Sequence, residues 1–284
     1  MTAPAAPSVE VVYIAFRDYG AASLDRFLRS YEQWPAACPH VLTVALKGFD
    51  DAAEQARIAE RCRRIGASTL VVPDAGLDVG TYFHVAARIR ADILCLLNSN
   101  AEILGDAWLG KLVGALRSQG GGAVSATGSW ESLVDNQWGL RPVHPVRLLR
   151  WLLRLSRFAW HFPRFPNPHL RTNALVIRRA DLLRFGPVRP TSKEEAWRFE
   201  SGRAGLSAGL RRRGLPLAIV GRDGRVFNVC EWNSSGTFWQ GEQANLLIAD
   251  NQTQRYALAD LAAREALERN AWSRPSAVHR DRRR

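Results

Sequence analysis

Three polar clusters interrupt the apolar pattern of this 284-residue chain. The first is Asn98-Ser99-Asn100, a short turn that follows the apolar run 92–97. Its amide oxygens can face a ligand, or the asparagines can simply turn the chain, since this residue tolerates unusual backbone angles. The second is Asp78, set between Gly76 and Gly80 at a strand-to-helix junction. A carboxylate there either contacts a ligand or caps the orphan amides of the helix. The third is the acidic segment 194–200, with Glu194, Glu195 and Glu200. A carboxylate can take a proton as a bond forms; a solvated helix face explains the same acids. His169 and Arg171, just before Asn173, can touch an anion or serve the structure. Trp130, Trp232 and Trp239 offer flat apolar platforms, or fill a core. Cys38, Cys62, Cys95 and Cys230 are widely separated with no CxxC pair. Neither a disulfide scaffold nor a zinc site is expected.

These residues need a frame, and the first hundred positions supply an alternating one. Strands are expected at 9–16, 41–46, 69–72 and 92–97, and helices at 21–34, 50–65 and 82–89. Strand–helix alternation with short connections predicts an α/β fold, a mostly parallel central sheet with helices on both faces. In such sheets ligands sit beyond the carboxyl ends of the strands. The ligand loops are therefore expected after Phe16, Leu46, Val72 and Leu97. Further along, a helix at 108–116, strands at 123–127, 173–177 and 217–221, and helices at 180–185, 204–213 and 255–270 complete the pattern. The expected organisation is a flexible N-terminus at 1–8, one domain at 9–272 with a basic insertion at 141–165, and a basic tail at 273–284.

The formal charge is +12, and its distribution decides what it means. Segment 141–165 carries +6 and segment 271–284 carries +4, so the rest of the chain holds only +2. Two local basic features argue against a nucleic-acid partner, which would be met by a continuous basic face. Within 147–160, Arg147, Arg150, Arg154 and Arg157 fall on one face about 80° wide, and the remainder is leucine, tryptophan and phenylalanine. Such a helix either lies on an anionic membrane surface or packs on the domain with its arginines in water. Residues 1–8 lack a basic run followed by an apolar one, so no signal peptide is expected. No apolar stretch approaches the roughly 20 residues that span a bilayer. The expected location is cytoplasmic, peripheral on the inner face of the cell membrane.

Residues 92–109, DILCLLNSNAEILGDAWL, resemble the centre of the family 2 glycosyltransferases, which have the GT-A fold. There an apolar strand delivers a short acidic turn, Asp-x-Asp or Asn-x-Asp. The stretch 73–80 (PDAGLDVG) and the later RTNALVIRR at 171–179 agree with that family in order and spacing. A branch that makes rhamnan and other surface polysaccharides is the most similar, through a Gly-x-Asp-x-Gly stretch and the segments 128–132, 165–169 and 249–253. The resemblance implies a nucleotide-sugar donor held near Asp18, Asp78, Gly80, Asn98, Ser99 and Asn100. It implies an acceptor, a surface polysaccharide or lipid-linked glycan, near Trp130, His169, Arg171 and Asn173, with Glu200 as catalytic base.

Two departures from the family matter. Its turn acid binds Mg²⁺ or Mn²⁺ through carboxylate oxygen, whereas this chain has neutral Asn98 and Asn100, with Glu102 the nearest carboxylate. The family acid that holds uracil aligns near Lys47. Either arginines offset the phosphate charge without a metal, or the domain has become an inactive module that binds glycan or a partner.

Overall fold

The computed structural model describes residues 7–138 and 144–273. Segment 139–143, which includes the first three residues of the basic insertion, and residues 274–284 of the tail lie outside them, as do residues 1–6. The first half of the chain runs β1 (Val9–Phe16), α1 (Gly20–Gln33), β2 (Val41–Lys47), α2 (Ala52–Arg64), β3 (Ser68–Val72), α3 (Leu77–Ala86), β4 (Ile93–Leu97) and β5 (Glu102–Ile103). Next come α4 (Trp108–Ser118), β6 (Ala123–Ser125), β7 (Gly128–Ser129), α5 (Leu133–Trp138), α6 (Pro145–His161), β8 (His169–Leu170) and β9 (Leu175–Arg178). The chain ends with α7 (Arg179–Leu183), α8 (Lys193–Ser201), α9 (Leu206–Arg212), β10 (Leu217–Val220), β11 (Val226–Asn228), β12 (Ile248–Ala249), α10 (Asn251–Leu258) and α11 (Leu261–Trp272).

Eight strands form the central sheet in the order β11-β10-β6-β9-β4-β1-β2-β3. The pairs β3–β2, β2–β1, β1–β4 and β6–β10 are parallel, while β9 runs antiparallel to both β4 and β6, and β11 antiparallel to β10. The α/β, mostly parallel expectation therefore holds. Central strands buried on both faces need apolar residues at every position, which β1 supplies from Val9 to Ala15 apart from Glu10. Its odd-numbered residues Val11 and Tyr13 join α1 and α4 in one core layer. The even-numbered Val12 and Ile14 join α3, α8 and α9 in the other. The sheet is thus the wall between two cores. Among the described residues, no helix is long and apolar enough to cross a membrane.

Several sequence expectations shift, and the helix expected at 82–89 runs Leu77–Ala86. The helix expected at 255–270 is two helices, because Ala259 is extended and the Asp260 carboxylate accepts the Ala263 N–H, capping a new start. The strand expected at 173–177 begins only at Leu175, since Ala174 takes a left-handed φ of 58°. Beyond the strand at 217–221, the last in the core, the structure adds a short antiparallel edge strand, β11, that the pattern did not mark. At the other end of the chain, Ser8 is held: its N–H and hydroxyl both donate to the Asp92 carboxylate at 2.8 Å.

The hub of this frame is Tyr13. Its ring stacks on Phe27 of α1 at 3.8 Å between centroids, and its hydroxyl donates to the Ser99 carbonyl at 2.8 Å. Removing the hydroxyl strands a buried acceptor, which costs about 1–3 kcal/mol. Tyr13→Phe is therefore expected to lower the urea midpoint by a corresponding amount, with the slope unchanged.

Candidate functional site

The carboxyl ends of β1, β2, β3 and β4 open into one cleft of about 840 Å³. Its floor and near wall come from Phe16, Tyr19, Lys47, residues 74–79 and Asn98, so all four loops expected from the strand pattern contribute. The far wall is the Arg171-Thr172-Asn173 segment with Arg189, Lys193, Trp197 and Glu200, and Asn251 and Gln252 close the edge. That size falls within the ordinary range of small-molecule sites.

The turn after β4 is locked from three sides. Asn98 Oδ1 accepts the Asn100 N–H at 3.0 Å, an Asx turn. Asn98 N–H donates to Asn173 Oδ1 at 3.2 Å, and Asn173 Nδ2 donates to the Ala249 carbonyl at 3.3 Å. Asn173 is therefore a brace that ties β4 to the segment before α10. Of the turn residues, Asn98 alone lines the cleft. Ser99 is buried beneath it, with its carbonyl taken by Tyr13. The expected donor contacts at Ser99 and Asn100 do not fall on this cleft, since neither residue lines it and each is held through its backbone.

Asp78 also departs from one of its two readings. Gly76, with φ 77°, is the N-cap of α3, and no side chain caps the helix. Asp78 lies in the first turn and faces the cleft. Burial raises its carboxyl above the usual range, while the nearby Lys47 cation pulls it back. Gly80 does not line this cleft. A Cβ on Gly80 would sit 3.2 Å from the Ala75 carbonyl, and one on Gly76 would sit 2.9 Å from Gly80 Cα, so both glycines permit the close loop that presents Asp78. Asp18 is exposed beside the cleft residue Tyr19 and does not itself line it.

The cations of the cleft are Lys47, Arg171, Arg189 and Lys193, facing the carboxylates Asp74, Asp78 and Glu200. Lys47 is nearly inaccessible, with its Nζ 3.9 Å from Asp74 and 5.4 Å from the Phe16 ring centre. Burial lowers its ammonium, and Asp78 and Asp74 oppose that shift. Arg171 pairs with Asp250 at 3.1 Å and lies 4.4 Å over the Phe238 ring. Asp250 in turn accepts the Gln252 and Thr253 N–H groups at 3.0 and 2.9 Å. Segment 249–253 is thus a capping box that aims the start of α10 at the cleft. Glu200 receives the Thr172 hydroxyl. Burial is the largest influence on its carboxyl and raises it, against the Thr172 bond and the Arg171 charge.

Other predicted contacts lie elsewhere. His169 is buried, its Nδ1–H bonded to the Asn167 carbonyl at 2.8 Å, and burial pushes its pKa down to about 4. It pairs with Ser129 in the β7–β8 ladder, so it is a neutral structural histidine. Trp130 packs against Phe165 and Trp272 and donates to the Val229 carbonyl at 3.2 Å. Trp130 is half-buried and Trp232 and Trp239 are buried, and none of the three lines the cleft. The segments 128–132 and 165–169 form this buttress, in which Asn167 N–H donates to the Trp130 carbonyl at 3.0 Å. The cleft aromatics are Phe16, which is half-buried, and the more accessible Tyr19 and Trp197, which keep 50% and 38% of their surface. Sequence reasoning missed Trp197, Arg189 and Lys193. Lys47 and Asp74 were within its reach, since they sit in two of the loops expected to bind.

The resemblance implies a divalent cation, and the residues present do not suit one. Asn98 Oδ1 is already engaged, and Asn100 is off the cleft. Glu102, a possible ligand only if the turn were reshaped, sits on β5 in a different depression, 3.8 Å from Arg26. Among the described residues, no three of His, Cys, Asp and Glu gather into a metal-binding group.

No protein-family model and no curated protein matches the chain. Solved structures do show a partial likeness. One is the mannosyltransferase PcManGT from Pyrobaculum calidifontis in complex with GDP-Man and Mn²⁺, at 16% identity over 66% of this chain and 48% of that one, TM-score 0.39. Another is GalNAc-T7 with UDP, GalNAc and Mn²⁺, at 14% identity, 63% and 36% coverage, TM-score 0.42. A third is residues 1–349 of S. aureus TarS in complex with UDP-GlcNAc, at 10% identity, 69% and 54% coverage, TM-score 0.41. This chain spans 36% to 54% of the length of those chains. At such identities and scores, the likeness carries nothing about chemistry. Fold and site together define an α/β protein with a polar, mixed-charge cleft at the carboxyl edge of a mostly parallel sheet.

A group whose folded pKa is raised adds stability below its unfolded pKa and loses it as pH rises through the folded value. Glu200 is such a group. Glu200→Gln removes the titration, so urea midpoints are expected to move in favour of the variant as pH climbs from about 4 to about 8. A difference that stays flat with pH would show that Glu200 is solvated.

Proposed function

We propose that this chain transfers a sugar from a nucleotide-sugar donor to a glycan acceptor within the cleft. The observation that carries the reading is the meeting of four cations, two accessible aromatics and a carboxyl of raised pKa in one cavity at the strand ends. Guanidinium and ammonium groups suit a diphosphate, and aromatic faces suit a base or sugar ring.

In this reading Lys47 and Arg189 hold the diphosphate, Asp78 meets the nucleoside and Asn98 faces the sugar. Arg171 and Thr172 orient Glu200 toward the acceptor. The acceptor oxygen bonds to the anomeric carbon as the carbon–oxygen bond to the diphosphate breaks. The bond electrons leave with the nucleotide, and Glu200 takes the hydroxyl proton. A carboxyl lifted toward neutral pH is better matched to that task than an ordinary one. The cleft cations, rather than a divalent ion, offset the phosphate charge. The acceptor proposed is a surface polysaccharide or lipid-linked glycan of the kind the sequence resemblance implies. A second reading, an inactive glycan- or partner-binding module, is favoured by one observation: amides stand where the family carries its turn acids.

A thermal-shift screen of nucleoside diphosphates and their sugars, each with and without EDTA, tests the donor part, because a ligand selective for the native state stabilises it. Stabilisation that survives EDTA is expected. Lys47→Ala should weaken it about tenfold to a hundredfold, the loss of one charged hydrogen bond of about 1.5–3 kcal/mol. Glu200→Gln should keep donor binding and lower turnover by about 10²–10⁴. Donor binding without turnover in the native chain selects the binding-module reading, and no stabilisation by any donor removes both the donor site and the transfer.

A further inference from the structure

Helix α6 has two apolar faces, and the fold uses only one. Trp151, Leu155 and Phe158 turn inward against Val134 and Phe162. Val146, Leu149, Leu152, Leu153 and Trp160 stay exposed, Leu153 keeping 63% and Trp160 79% of its surface. At about 100° per residue these five occupy a stripe of about 120°, in which Ser156 is the one polar member. Arg147, Arg150, Arg154 and Arg157 fill the adjoining strip, and the helix contains no acid. Isolated exposed leucines are ordinary, whereas a contiguous apolar stripe beside a basic one marks a contact surface.

We propose that this stripe seats the protein on an anionic lipid surface. Leucines and Trp160 enter the boundary between headgroups and acyl chains, and the arginines meet lipid phosphates. Charge complementarity selects that occupant over a second copy of the chain. An isologous contact would set Arg147 and Arg150 against the same cations of its partner. The helix is also firmly tied to the body. Trp151 Nε1–H donates to the Gln137 carbonyl at 2.9 Å, and Arg203 N–H donates to the His161 carbonyl at 2.8 Å. Arg157 pairs with Glu194 of α8, the helix that gives Lys193, Trp197 and Glu200 to the cleft. Adsorption therefore holds the α8 wall of the cleft beside the lipid. That last consequence, access to a lipid-linked acceptor, rests on the transfer reading; the adsorption does not.

Sedimentation of the full chain with phosphatidylglycerol–phosphatidylcholine vesicles, and with phosphatidylcholine alone, tests the proposal. Binding is expected only to the anionic vesicles, weakening with added salt. Leu152→Glu with Leu153→Glu should weaken it at least about tenfold. Arg147→Gln with Arg150→Gln, a pair that leaves the apolar stripe intact, should weaken it as well, and decides the matter if the leucine pair fails to fold. Equal binding to neutral vesicles, no binding, or binding that survives both pairs of substitutions overturns the proposal. So does a dimer in light scattering that the leucine pair dissolves. No nucleotide enters this readout, so its outcome and that of the donor screen are separable.

Discussion

A single buried hydrogen bond, from the Tyr13 hydroxyl to the Ser99 carbonyl, joins an interior strand of the sheet, β1, to the turn after β4. Tyr13 can make it because its ring is clamped flat against Phe27, so helix, strand and turn share one contact. Asn173 secures the other side of the same turn and passes the constraint on to Ala249 and the start of α10. Cleft geometry is thus set by Tyr13, which lies off the cleft, and by Asn173, which lines it. This explains why two of the three polar turn residues, Ser99 and Asn100, lie off the cleft.

Electrostatics in the cleft are a matter of balance rather than excess. Lys47 is lowered and Asp78 and Glu200 are raised, in each case chiefly by burial, with opposite charges nearby limiting the shift. Burial penalises every charge, so each ion persists only beside a partner. An incoming diphosphate would enter this arrangement as a further anion among four cations. These four cations lie outside the two segments, 141–165 and 271–284, that carry most of the chain's net charge.

Helix α6 shows how periodicity alone can leave a surface ambiguous. The sequence pattern marks a basic strip and a broad apolar remainder, which satisfies both an interfacial helix and a packed one. The structure divides the remainder in two. One part is buried by α5 and Phe162, and the other is left open beside the arginines. The packed reading holds for one face of the helix, and the other apolar face stays exposed beside the arginines.

Much of the fold was legible in the chain itself. Buried parallel strands demand uninterrupted apolar runs, and such runs separated by helical spacing identify the α/β sheet, the strand ends and the four loops that line the cleft. Glu200 and Asp78 stand out because carboxylates at such positions are chemically conspicuous. Tertiary structure alone decided which polar residues are spent on support. His169 and Trp130 read as binding residues, and each instead bonds a backbone carbonyl away from the cleft, while Asn173 both lines the cleft and braces its turn. It also brought Arg189, Lys193 and Trp197 to the cleft. The physical reason is range. Periodicity reports a residue's neighbours within a turn or two of chain, while hydrogen-bond satisfaction and burial depend on groups that lie 75 or more positions away, as with Asn98 and Asn173.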